Sequence, residues 1–259
     1  LPIESGLLEE VVVRLICDEA EQRRHDEVLE QEHYLGNARA VGQVLRYAAE
    51  YRGRWVAVLT FCSAALHLKP RDRFLGWTAR QVKERRHLIA QNSRFLVLPS
   101  TGRWPNLASR VLKLTCARLP KDWQQAFGHP VRLIETFVDP QRFRGTCYRA
   151  ANWQRLGRTR GFARRAQDYY LDRRHPKELW VYPLGRGALR DLRAAELAAE
   201  LRGGTAPLPP PVPVPTEQMS ALAGFIRRRV SDRRHRRGVR HPVASVVAVA
   251  TLAVAAGCR

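Results

Sequence analysis

The sequence predicts an α/β fold in which helices flank a central sheet. Short apolar runs rich in β-branched and aromatic residues alternate with longer segments whose apolar residues recur at helical spacing. The 259 residues are 45% hydrophobic, which excludes wholesale disorder. The five cysteines have no regular spacing, which excludes a disulfide-stapled secreted scaffold.

Apolar spacing places the individual elements. Helices are predicted where apolar residues recur three and four positions apart, as Leu7, Val11 and Leu15 do, and strands where a short apolar run lies between turn signals. Up to residue 99 the predicted elements are a helix over 3–33 broken near Cys17, a helix over 38–51 ended by Gly53, a strand over 55–62, its hairpin partner over 64–69, a basic helix over 78–91 and a strand over 94–98. Beyond it they are a helix over 107–117 with Asn106 as N-cap, a strand over 131–138, a helix over 143–155, a turn or short strand over 158–162 and a strand over 178–183.

Composition predicts five parts along the chain. They are an acidic N-terminal helix over 1–36, the α/β core over 37–185, a helix over 186–202, a proline-rich linker over 203–215 and a basic, helical segment over 216–259. Six of the nine residues from 207 to 215 are proline, so the linker favours extended polyproline II over helix or strand. We expect the chain to be a fragment of a longer reading frame, because it begins with leucine and ends within an apolar pattern.

The charge points to a polyanionic partner. The chain holds 45 Lys and Arg against 24 Asp and Glu, a net charge of +21. Residues 1–36 carry −7 and residues 37–259 carry +28, so the excess lies in the body of the protein. Nucleic acid is the expected partner, DNA before RNA, and an anionic membrane surface comes second. An arginine-rich codon usage is the alternative source of part of this excess.

The expected compartment is the cytoplasm. The first segment is acidic and has no long apolar stretch, unlike a secretory signal. One apolar run covers residues 243–258, which is shorter than the roughly 20 residues that span a bilayer. We therefore expect a buried helix there and no membrane partner.

The densest cluster of candidate catalytic groups lies between residues 135 and 152. Glu135 and Asp139 lie four apart on a strand and its exit, where period-2 alternation points both to one side, and a carboxylate at a strand end suits a general base. Tyr148 and Asn152, four apart on a predicted helix, would supply a pair of donors. The alternative is that Glu135 forms an ion pair with an arginine and Tyr148 is a core aromatic.

The known cofactor and metal patterns are missing from the sequence. No cysteine pair, histidine pair or zinc-finger spacing indicates a metal, and no phosphate-binding glycine loop of the Walker or dinucleotide type is present. Cys62, Cys116 and Cys147 are expected to be buried small apolar side chains rather than nucleophiles. We therefore expect no metal and, under the main interpretation, no cofactor.

Arginines interleave with aromatic residues from residue 142 onward. Cationic side chains neutralise phosphates, and exposed aromatic faces stack on unpaired bases. Gly157 and Gly161 flank a short arginine-containing loop, where the cations would hold an anion or be neutralised by Glu135 and Asp139. The candidate nucleic-acid contacts are Arg142, Arg144, Arg149, Arg155, Arg158, Arg160, Arg164 and Arg165, with Phe143, Tyr148, Trp153 and Phe162 between them.

Four segments resemble a known family. They are NSRFLVLP (92–99), PNLAS (105–109), ETFVD (135–139) and the run from GTCYRAANW to the glycine at 161 (145–161), and they are similar to the DruA domain of Druantia anti-phage systems over residues 8–185. Residues 230–259 resemble the N-terminal region of H-repeat-associated insertion-sequence transposases, whose catalytic DDE domain follows later. The resemblance implies a nucleic-acid-binding module of a mobile element or defence system, with further subunits of such a system as partners and no transposase activity in this segment.

The order of elements also resembles the GNAT acyltransferase fold, which has a mixed central sheet. The segment YRAANWQRLG is similar to a stretch of acetyltransferases, so the resemblance implies an alternative function, acyl transfer from acetyl-CoA to an amine or tRNA. Acetyltransferases hold the CoA pyrophosphate with the backbone of a glycine-rich loop at a helix N-terminus. The corresponding residues 99–106 contain one glycine and two prolines, and proline donates no N–H.

We expect residues 1–202 to fold without the remainder of the chain, because few contacts cross a proline-rich linker. Limited proteolysis followed by mass spectrometry should find the first cuts between residues 203 and 240. Cleavage inside residues 55–162 before any cut in that interval would contradict the predicted boundary.

Overall fold

A mixed seven-stranded sheet forms the centre of the protein. The computed structural model describes residues 3–202, apart from 38, 39, 41, 67, 103, 160, 167, 168, 173 and 174, together with residue 247. The strands are β1 (Val12–Leu15), β2 (Val44–Tyr51), β3 (Arg54–Ser63), β4 (Ile89–Val97), β5 (Leu133–Val138), β6 (Gln154–Arg158), β7 (Phe162–Ala166), β8 (Tyr169–Asp172) and β9 (Glu178–Pro183). The sheet order is β1-β2-β3-β4-β5-β9-β6, with β4 and β5 parallel and the other neighbours antiparallel, while β7 and β8 form a separate hairpin.

Helices cover both faces of the sheet. They are α1 (Ile3–Glu9), α2 (Glu19–Glu32), α3 (Lys69–Leu75), α4 (Ala79–Arg85), α5 (Leu107–Phe127), α6 (Thr146–Ala150) and α7 (Ala188–Arg193). The long helix α5 packs its apolar side against one face, where Leu112 and Trp123 join the same cluster as Leu59 of β3. On the other face Leu29 of α2 packs with Val58 of the same strand. The predicted α/β class, with a mixed central sheet between helices, is confirmed.

Contacts within the chain divide it into two compact units, Leu1–Gly203 and Gly204–Arg259. The predicted linker, the basic segment over 216–259 and the apolar run over 243–258 lie outside the described residues, apart from Val247. In the ranges that the structure describes, no helix is both long enough and apolar enough to cross a membrane.

The two helices predicted at the N-terminus are wrong in part. Residues 3–33 form α1, β1 and α2, because residues 12–15 pair with β2 as an edge strand and the Asp18 side chain caps α2 by accepting from the Glu21 N–H at 3.0 Å. Residues 44–51 form a strand rather than a helix. Arg52 and Gly53 both have positive φ, 48° and 74°, and the two-residue turn they make joins β2 to β3. Gly53 therefore closes a hairpin instead of ending a helix.

Further boundaries differ from the prediction, because tertiary pairing overrides local spacing. The described residues of the segment over 64–69 (all but 67) form no strand, and β4 already begins at Ile89. Helix α5 runs ten residues further than predicted, to Phe127, and the helix predicted over 143–155 is limited to α6 and followed by β6. Asn106 precedes α5 with φ 60° but makes no side-chain capping bond. The strands predicted at 131–138 and 178–183 are confirmed, the first beginning two residues later at Leu133.

Gly145 seats the start of α6 against β9. Its φ is +67°, and a Cβ added there would lie 2.8 Å from Cζ2 of Trp180, an indole that is 2% exposed. Such a distance is shorter than any real Cβ contact, and a buried ring has little room to move. Glycine is therefore required both by the backbone conformation and by the approach of the loop to Trp180.

We expect Gly145→Ala to lower the stability by about 2–3 kcal/mol, because it adds a steric clash to left-handed backbone strain. Gly128→Ala is the matched control: its φ is +74° and nothing lies within 4 Å of the added Cβ, so it should cost only about 1 kcal/mol. Thermal unfolding of both variants measures the difference. Equal losses would show that Trp180 does not restrict this position.

Candidate nucleic-acid interface

Strands β4 and β5 separate at Asn92. Their parallel pairing runs from Ile89 opposite Leu133 to Asn92 opposite Thr136, although β4 continues to Val97. On its other side β4 has a bulge, since Phe61 of β3 pairs with Asn92 while Thr60 pairs with Arg94. A bulge and a separating pair both leave backbone groups without ladder partners, and buried groups of this kind need other hydrogen bonds.

The Asn92 side chain supplies these bonds. Its Nδ2 donates to the carbonyl oxygens of Thr60 at 3.2 Å and Arg94 at 2.9 Å, and its Oδ1 accepts from the Tyr148 hydroxyl at 3.1 Å. The Asn92 carbonyl accepts from Thr136 Oγ1 at 2.9 Å. Burial raises the pKa of Tyr148, so the phenol stays neutral and acts as a donor. This network ties α6 to the point where the two strands separate.

Glu135 forms a fully buried ion pair with Arg71. Its carboxylate accepts from Arg71 Nη1 at 3.1 and 3.3 Å and from the Ala65 N–H at 2.9 Å, and neither charged side chain has exposed surface. Burial raises the pKa of the Glu135 carboxyl, and Arg71 and the Ala65 N–H oppose that shift. A general base has to be reached by substrate, and Glu135 has no surface to offer in this conformation. The structure therefore shows the alternative arrangement, an ion pair with an arginine and Tyr148 in the core.

Asp139 and Asn152 shape the backbone on either side of α6. Asp139 Oδ1 accepts from the Gln141 N–H at 3.0 Å, and its carbonyl accepts from the N–H groups of Arg142 and Phe143 at 3.1 and 2.9 Å. Asn152 follows the end of α6 and has φ 63°. The prediction that Tyr148 and Asn152 share a helix face is wrong, because the helix ends before Asn152.

Five of the eight predicted arginines can be placed, and all five are exposed. They are Arg142, Arg144, Arg149, Arg155 and Arg158. Arg155 Nη1 pairs with Glu178 at 2.8 Å, whereas the other four have no ion pair within the described part of the chain. Arg160 and the side chains of Arg164 and Arg165 lie outside the described residues. Four of these guanidinium groups are therefore open to an external anion.

The aromatic side chains of this segment divide into exposed and buried. Phe143 is 50% exposed, whereas Tyr148 and Trp153 are 8% and 4% exposed. The Phe162 side chain lies outside the described residues. Two of the four predicted stacking residues therefore belong to the core.

Tyr34, which was not among the predicted site residues, lies beside Phe143. The two ring centroids are 5.3 Å apart, and the Arg142 guanidinium lies 5.1 Å from the Tyr34 ring. Arg94 of β4 holds the turn after Tyr34 through a 2.7 Å bond from its Nε to the Gly36 carbonyl. No local pattern marks Tyr34, because its neighbour is more than one hundred residues away in the chain.

A shallow surface joins the loop over 139–145, which we call the arginine–aromatic loop, to β6. One hollow of about 270 Å³ is lined by Asp139, Pro140, Gln141, Arg158, His175 and Pro176. A second, of about 410 Å³, is lined by Arg155, Leu156, Gly157 and Arg158. Arg158 borders both, so the first residues of the loop and the edge strand β6 share one continuous area. Glu135 cannot neutralise Arg158, since it is held by Arg71.

The connection between β4 and α5 differs from a glycine-rich pyrophosphate loop. Pro99 and Pro105 have no N–H to donate. The N–H groups of Thr101 and Gly102 already donate to the carbonyls of Leu98 and Pro99, both at 3.0 Å. A pyrophosphate cradle needs several free N–H groups that point to one place. Within the described residues of this connection, two prolines and two engaged N–H groups therefore reduce the donors that such a cradle could use.

The described residues hold no cluster of metal ligands, and the cysteines near the proposed site are buried or half-buried. No group of three or more His, Cys, Asp or Glu side chains across the described ranges is placed to hold a metal ion. Burial raises the pKa of Cys62 to about 11 and that of Cys116 to about 12, which keeps both as thiols at neutral pH. Both are buried, and Cys147 is half-buried.

Comparisons with known proteins agree with the motifs. The family model described as Druantia protein DruA matches residues 7–172. No curated protein matches the chain. Among solved structures, the aminoglycoside acetyltransferase AAC(6')-Ib in complex with coenzyme A matches 71% of this chain and 99% of its own, with 16% identity and a TM-score of 0.45.

Two other acyl-transferring proteins show a similar degree of likeness. The spermidine/spermine N-acetyltransferase SpeG from Vibrio cholerae, in complex with manganese ions, matches 69% of this chain and 95% of its own, at 7% identity and a TM-score of 0.41. FeeM, an N-acyl amino acid synthase from uncultured soil microbes, matches 67% and 91%, at 10% identity and a TM-score of 0.39. The family model covers more than half of the chain, and the protein belongs to the DruA family of Druantia proteins.

Proposed function

We propose that this protein is a nucleic-acid-binding module of an anti-phage defence system or mobile element, and that DNA is its main partner. The observation that carries the proposal is the set of exposed arginines around the arginine–aromatic loop that have no acidic partner among the described residues, Arg142, Arg144, Arg149 and Arg158. Membership of the DruA family supplies the biological setting.

The chemistry of these side chains suits phosphate. A guanidinium group donates through a planar fork that matches two phosphate oxygens, and it remains charged at any physiological pH. When several such groups neutralise phosphates, counterions are released and binding becomes strongly dependent on salt. The arginines come from a loop, a one-turn helix and an edge strand, so they follow a surface rather than line a closed pocket. Such an arrangement favours contact with a backbone and predicts little sequence preference.

The charge of the whole chain supports the same partner. Residues 37–259 carry +28, which attracts polyanions over long range and speeds their encounter. Acyl transfer from acetyl-CoA is supported less well, because the β4–α5 connection has few free N–H donors for the pyrophosphate. The proposal therefore assigns nucleic-acid binding to this surface and assigns no reaction to it.

We expect DNA affinity to fall steeply with salt. If about six phosphates are neutralised, the affinity should drop roughly a thousand-fold between about 50 and 200 mM monovalent salt. Fluorescence anisotropy with a labelled oligonucleotide at rising salt measures this slope. A flat response, or no binding at the lowest salt, would contradict the proposal.

We expect the double variant Arg144→Ala/Arg158→Ala to bind DNA more weakly and to reduce the salt slope by about two, because each phosphate contact adds about one. Both side chains are exposed, so the melting temperature should stay within about a degree of the parent value. Arg80→Ala/Arg190→Ala is the matched control, since it removes the same charge from two side chains that are 86% and 85% exposed elsewhere on the protein. An equal loss in the control would assign the effect to net charge alone.

A further inference from the structure

The arginine–aromatic loop carries an exposed apolar side chain as well as positive charge. Phe143 is 50% exposed, one of the few large apolar side chains in the described residues that is this open to solvent. Leu35, at 42% exposed, is another, and it directly follows Tyr34, the ring that contacts Phe143. Exposed apolar side chains that gather at one place indicate a binding surface more than isolated ones do.

The backbone beneath these rings is held in place from both sides. The Asp139 carbonyl accepts the Phe143 N–H at 2.9 Å, and Gly145 rests against Trp180 two residues further on. On the facing turn, His33 Nδ1 accepts from the Leu35 N–H at 3.2 Å and Arg94 bonds to Gly36. Rings presented from such supported turns need little ordering when a ligand binds, so less affinity is lost to entropy.

The charges next to the rings fit a chain of phosphates. Arg142 and Arg144 directly flank Phe143, and both are exposed. The Arg142 guanidinium also lies over the Tyr34 ring. This arrangement suits a nucleotide strand, because a base can contact the ring while the phosphates on either side of it contact the two arginines.

We propose that Phe143 and Tyr34 form a stacking platform for unpaired bases, so that the protein prefers single-stranded nucleic acid over a duplex. The preference rests on the nucleic-acid binding proposed above and names the form of nucleic acid that this surface selects. In a duplex the base faces are stacked on one another and only the phosphates reach the arginines. In a single strand the faces are free, and stacking on an aromatic ring adds to affinity without reading sequence.

The test measures the binding of three labelled probes to the whole 259-residue chain at one low salt concentration. They are an oligothymidylate of about 20 nucleotides, a duplex of the same length and a sugar–phosphate strand without bases. The wild type should bind the oligothymidylate about ten-fold more tightly than the strand without bases, because only the former can stack. An oligouridylate of the same length shows whether the preferred strand is DNA or RNA.

Variants of Phe143 separate stacking from charge. Phe143→Ala should bind the oligothymidylate about ten-fold more weakly and leave the affinity for the duplex and for the baseless strand unchanged. Phe143→Tyr keeps an aromatic face and should retain the preference. Val12→Ala is the matched control, since Val12 is an exposed apolar side chain, 56% exposed, on β1 at the opposite edge of the sheet from β6. The melting temperature of each variant should remain that of the wild type.

The outcomes distinguish this inference from the proposed function. If the wild type binds single strand, duplex and baseless strand equally, and with a steep salt slope, the stacking platform is refuted while nucleic-acid binding stands. If Phe143→Ala weakens binding to all three probes alike, the ring supports the arginines and does not stack. If no probe binds and vesicles containing anionic phospholipid do, in a manner that Phe143→Ala abolishes, both proposals fail and the surface is a membrane contact.

Discussion

The separation of β4 from β5 at Asn92 is the constraint on which the surface of this protein depends. A parallel pair that ends in the middle of a sheet exposes backbone groups inside the fold, and these need side-chain partners. Asn92, Thr136 and Tyr148 provide them from three different elements. Tyr148 ties α6 to this point of the sheet. The loop that leads into α6 carries Phe143, Arg142 and Arg144, all of which are exposed.

The family motifs therefore have a structural explanation. NSRFLVLP provides the bulge at Ser93 and the arginine that holds the turn after Tyr34. ETFVD provides the buried Glu135, the Thr136 bond and the Asp139 turn. GTCYRAANW provides Gly145 against Trp180 and the Tyr148 hydroxyl. Each of these three motifs shapes or anchors the surface, and the exposed groups that would touch a ligand lie between and beside the anchoring residues.

The α/β class and several strands could be predicted from the sequence, because buried strands such as β5 and β9 are short apolar runs with few other interpretations. The segment over 44–51 could not, because its apolar residues fit both periods and the deciding factor was the long-range pairing with β3. Charge and spacing also singled out five arginines that are exposed in the structure, and their contact with nucleic acid stays a prediction. They could not separate Phe143 from Tyr148, since exposure depends on how the loop and α6 lie against the sheet. Tyr34 is half-buried and is brought beside Phe143 only by the fold.

The pairing of Arg71 with Glu135 has a consequence for how this sequence can change. Both side chains lack exposed surface, so losing Arg71 leaves the Glu135 carboxylate buried without a cation, at a cost of about 3–5 kcal/mol. A loss of that size is a large share of the roughly 5–15 kcal/mol that stabilises a typical domain. Losing Glu135 costs less, because Arg71 also pairs with Asp72 at 2.8 Å. Substitutions at the two positions, which lie 64 residues apart in the chain, are therefore coupled. Relatives that keep Glu135 should therefore also keep the arginine, whereas an arginine held by Asp72 could outlast the loss of Glu135.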